Sequence, residues 1–169
     1  MPAGEAMRAA VTSYPLECVT SGGPDDATRA YVEAAGPCFD DLRVVTAQLA
    51  GLLLLQASGA RSAGPDHPMR AVAEELLETA RDATLRLAPR SPRARHHHEH
   101  LLATAARLTE ALARIRAALL DREGVTEPTR LLNAAWTELG SASRALPGFD
   151  LIDLTGACCA MHTPGPVKA

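Results

Sequence analysis

The chain has 169 residues and is 47% hydrophobic but only 3% aromatic, so it is long enough to bury one core without disulfides, and Leu and Ala build that core. A formal net charge of -3, with acids and bases interspersed, argues against a dedicated nucleic-acid binder. The most apolar stretch, Leu49 to Leu55, is too short to span a bilayer, and with no signal-peptide pattern at the start the four cysteines read as reduced cytoplasmic thiols.

Residues 1–24 carry Gly22-Gly23-Pro24 and no sustained periodicity, which predicts a poorly ordered arm. Asp25 or Asp26 is placed to cap a short helix that Gly36-Pro37 stops after Ala35, with Pro37 opening the next helix. Four apolar seams follow. Cys38, Leu42, Val45, Leu49, Leu52 and Gln56 step by 4, 3, 4, 3, 4. Met69, Ala73, Leu76, Ala80, Ala83 and Leu87 repeat those steps, as do Leu101, Ala105, Leu108, Leu112, Ile115 and Leu119. Leu132, Ala135, Leu139, Ala142 and Leu146 step by 3, 4, 3, 4. Such spacing lays one apolar stripe along each helix. Short connections rich in Gly and Pro separate the seams, with Ser91 an N-cap before Pro92, and Thr126 with Pro128 opening the last helix. The expectation is an all-α, up-and-down four-helix bundle over residues 25–162, with the apolar tail after Pro147-Gly148 docked on it and residues 163–169 disordered.

Four of the six histidines fall in the run His96-His97-His98-Glu99-His100, at the start of the third seam helix. Imidazole titrates nearest neutral pH and is a common metal ligand. With each residue turning about 100°, His97 and His98 fall on either side of the seam, while His96, Glu99 and His100 point to solvent. His96 and His100 are one turn apart and could clasp one Zn or Cu ion, with Glu99 or a group from elsewhere completing it. The plainer reading is the opening turns of a helix, with His97 and His98 closing the end of the core. His-x-x-Glu-His resembles the inverted zinc-peptidase motif, but a histidine-rich run produces it by chance, and the further carboxylate ligand and the cleft have no counterpart. His98-Glu99 resembles the phosphoacceptor box of histidine kinases, without its proline or a nucleotide-binding segment.

In the tail, Cys158, Cys159, Met161 and His162 gather soft and borderline donors that suit Cu(I) or Zn. The same tail carries an apolar stripe, Leu151, Leu154, Cys158 and Met161, that packing alone explains. No Glu-x-x-His, Cys-x-x-Cys, phosphate loop or nucleophile elbow occurs. Arg107, Glu110 and Arg114 read as a solvated helix face, and Trp136 as core or interface. The functional expectation is a non-enzymatic helical interaction or regulatory module, with a protein partner or self-association and neither nucleic acid nor membrane. The alternative is a metal-binding bundle using His96, His100 and Glu99, or Cys158, Cys159 and His162.

Overall fold

The computed structural model describes residues 26–60, 64–121 and 124–151. The arm before Asp26, the expected docking of the tail beyond Leu151, and the tail donors Cys158, Cys159 and His162 lie outside the described residues. Four helices make up the rest: α1 (Asp26–Ala57), α2 (Pro68–Arg86), α3 (Pro92–Asp121) and α4 (Thr126–Ala145). Every helix packs on its neighbours in the order α1–α2–α3–α4 and back to α1, and the diagonal contact is α1 with α3. This is the expected all-α four-helix bundle.

Side-chain pairs show the alternating direction. Tyr31, early in α1, meets His97, early in α3, and Gln56 near the end of α1 donates to the Ala118 carbonyl near the end of α3. These two helices therefore run parallel. Between them runs α2, whose last turns carry Thr84 back to the start of α3, and Glu138 in the second half of α4 lies beside His100.

One boundary differs from the expectation. Gly36-Pro37 does not end a helix: α1 runs unbroken through Pro37. Proline removes one backbone donor and crowds the carbonyl four residues back, at a cost of about 3 kcal/mol. That carbonyl belongs to Glu33, and both Glu33 and Pro37 lie on the exposed side of the helix. On the opposite side Tyr31, Ala35, Cys38, Phe39 and Leu42 are all buried on one core. Fully burying a large apolar side chain contributes roughly 1.5–3 kcal/mol, so a few such residues outweigh the proline.

The helix starts follow local chemistry. The Ser91 hydroxyl accepts from the Ala94 amide at 3.2 Å, the N-cap the sequence predicts, and Pro92 follows at the first helical position. At α2 the cap is His67, whose Nδ1 accepts from the Met69 amide ahead of a first-turn proline. The seams of α1, α3 and α4 face the core with few deviations. In α2 the buried row is Ala73, Leu77, Ala80 and Thr84, while Leu76 and Ala83 of the expected row are only half-buried. The helix is rolled so that Leu77 and Thr84 face inward. Phe149, four residues past the end of the last helix, is buried against Phe39, so the tail begins to dock where expected.

Candidate functional site

The first turns of α3 carry the histidine run, and the residues between Ala94 and Thr104 contact all three other helices. Successive residues are about 100° apart on a helix, so a run of five reaches every direction around it. Each histidine therefore acquires a different neighbour.

His97 points into the core and is fully buried. Its Nδ1 and the Tyr31 hydroxyl of α1 are hydrogen-bonded at 2.8 Å. Phe149 lies against the ring with centroids 4.0 Å apart, Phe39 stacks at 6.4 Å and Tyr31 meets it edge-on at 5.7 Å. Both phenylalanines of the chain and one of its two tyrosines are thus spent on one imidazole. Burial, reinforced by the nearby His100 and His98, pushes the His97 pKa down to about 4, so the ring is neutral at pH 7. Burial pushes the Tyr31 phenol up, which keeps its proton in place. The other His97 nitrogen, Nε2, is buried and has no hydrogen-bond partner.

His98 turns to α2. Its Nε2–H donates at 2.9 Å to the Thr84 carbonyl in the last turn of α2, which also accepts from the Leu87 amide at 3.1 Å. Thr84 is itself buried, its hydroxyl returning to the Ala80 carbonyl, and it lies beside Cys38 of α1. Burial pushes the Cys38 thiol up, away from the thiolate form, and this buried free cysteine packs as a small apolar group.

His100 turns to α4. Its Nδ1 lies 2.8 Å from Glu138 Oε2, and Arg107, two turns along α3, reaches the other Glu138 oxygen at 3.3 Å. His100 and then Arg107 hold the Glu138 carboxyl below its usual range. Two expectations change here. His100 does not point to open solvent but is half-buried under α4, which packs closely on that side of α3. Arg107 is not simply solvated: it tethers Glu138 across the interface.

His96 does face solvent, and its Nε2 is 3.3 Å from His100 Nε2, with the rings edge-on at 4.6 Å. Glu99 Oε2 lies 3.9 Å from His96 Nδ1, on the side of the ring away from that nitrogen contact. The run thus brings His96 and His100 together as expected, with Glu99 behind His96 and not between the two rings. Among the described residues no group of three or more His, Cys, Asp or Glu side chains is arranged to hold a metal ion. Tyr31, Phe149, Glu138 and Thr84 are the partners that sequence reasoning missed. The seven-residue spacing of His100 and Arg107, which places both on one side of α3, is the only signal that pointed to the Glu138 pairing. No protein-family model, curated protein or solved structure matches the chain.

Proposed function

We propose that the chain is a non-enzymatic helical module that acts by binding a protein surface, a second copy of itself being the simplest case. The observation that carries this reading is Trp136. The chain's single tryptophan is 42% exposed on α4, on the opposite edge of that helix from Glu138, about 200° around its axis. Tryptophan is enriched among residues that dominate the energy of protein interfaces, because a large rigid ring gains much contact area with little loss of rotamer freedom. Leu54, Leu85 and Leu120 add exposed leucines on the other three helices. The packed core and the neutral, inert state of His97 and Cys38 fit a scaffold better than a reaction centre. A reducing, cytoplasmic setting fits the free thiol of Cys38.

Sedimentation of the full chain over a wide concentration range tests the reading, with Trp136→Ser as the comparison. Self-association, or a co-purifying protein, that is lost in W136S at unchanged helical content supports it. A chain that stays monomeric, and whose W136S variant retains the same co-purifying proteins, overturns it.

A further inference from the structure

We infer that His96 and His100 form a binding site for a divalent ion of tetrahedral preference, of the zinc class, with Glu138 as the carboxylate that orients the His100 ring. This rests on the α3–α4 geometry and is independent of the reading built on Trp136.

The two Nε2 atoms converge to 3.3 Å. Two imidazole nitrogens bound to one zinc at about 2.0–2.1 Å in tetrahedral geometry stand about 3.3–3.4 Å apart. Adjacent corners of a square-planar copper(II) site with similar bond lengths stand only about 2.9 Å apart. The 3.3 Å spacing is that of a hydrogen bond between the two rings, and it also falls within the tetrahedral zinc range.

The far side of the His100 ring supports the same assignment. Metal-binding histidines donate their second nitrogen to a carboxylate or carbonyl, which fixes the tautomer and the ring plane. His100 Nδ1 has Glu138 at 2.8 Å, itself tethered by Arg107, whereas Glu99 stands 3.9 Å from His96 Nδ1, outside hydrogen-bond reach. Because the Glu138 carboxylate only accepts, His100 carries its proton on Nδ1 and presents a lone pair on Nε2. In the metal-free state His96 Nε2–H donates to that lone pair. On binding, the His96 proton moves from Nε2 to Nδ1, and both lone pairs face the ion. The remaining positions of the tetrahedron open to solvent beside the exposed His96 ring, where water or a small anion completes the shell.

Titrating the untagged full chain with zinc chloride, in a background of Cys158→Ser, Cys159→Ser and His162→Ala, isolates the site. One zinc per chain is expected, lost in His96→Ala and in His100→Ala. Glu138→Gln is expected to weaken binding about 10- to 100-fold, the usual effect of removing such an outer carboxylate. His98→Ala, on another face, leaves it unchanged. Because His96 is a surface residue, H96A keeps the fold and its result is free of unfolding. Retention of parental zinc affinity in H96A, or in E138Q, overturns the assignment.

Discussion

Tyr31 Oη and His97 Nδ1 meet at 2.8 Å inside the core, joining α1 to α3 across 66 residues of chain. His97 can be buried there only because it gives up its charge and because Tyr31 satisfies one of its two nitrogens. The tie is one of few polar contacts in a core built mainly of Leu and Ala, and it joins the two parallel helices.

Removing one partner of that bond should cost more than removing both. Tyr31→Phe leaves His97 with neither nitrogen paired, and an orphaned buried group costs about 1–3 kcal/mol. His97→Leu in the Y31F background should cost less than it does alone. Urea unfolding of the two single variants and the double variant measures the coupling, and additive effects would show the bond to be energetically silent.

Stability should fall as pH drops from neutrality toward 4. The His97 pKa is lowered from 6.5 to about 4 on folding, so between these values the unfolded chain binds more protons than the native one. The contribution is whole above pH 6.5, declines as pH falls and reaches its full loss near pH 4. A gap of that size corresponds to roughly 3 kcal/mol at most. Glu138 acts lower, since its depressed pKa costs stability only as pH falls below its unfolded value of 4.5. Urea midpoints measured between pH 7.5 and 4 for the parent and for His97→Phe check this, the variant showing the shallower slope above pH 4.5.

Glu138→Ala should destabilise only modestly, by about 0.5–1 kcal/mol, because the His100 and Arg107 contacts are partly open to water. A loss as large as that of Tyr31→Phe in the same urea series would contradict the ranking of buried over half-exposed ties.

Pro37→Ala should raise stability by about 1–3 kcal/mol. Alanine restores the amide that Glu33's carbonyl lacks and removes the ring clash, at an exposed position where no packing is lost. Thermal unfolding of the variant reads the gain, and a lowered midpoint would show that Pro37 itself is needed by the packing of Tyr31 and Phe39.

Much of the fold was legible because it rests on repetition. Seam positions such as Leu42, Leu108 and Leu139 follow a helical period, and the period alone predicts which side of each helix turns inward. Caps such as Ser91 are equally local. The exceptions were decided by competition between local and tertiary terms. Pro37 signals a break in any isolated segment, yet the apolar row from Tyr31 to Leu42 overrides it, and the roll of α2 toward Leu77 and Thr84 follows from how two neighbouring helices share one groove.

The histidine run separates the two kinds of information most clearly. By itself the sequence determined that five consecutive helical residues must face in different directions, and that His96 and His100 must share one side. Only the tertiary structure decided what each direction meets: Tyr31 and Phe149 around His97, the Thr84 carbonyl beside His98, and Glu138 under His100. Those partners lie 14 to 66 residues away or beyond the last helix, so no local period encodes them. They are chosen by which helices pack against α3, and that choice sets whether an imidazole is neutral in the core, a clamp on a helix end, or paired with a carboxylate at the α3–α4 interface.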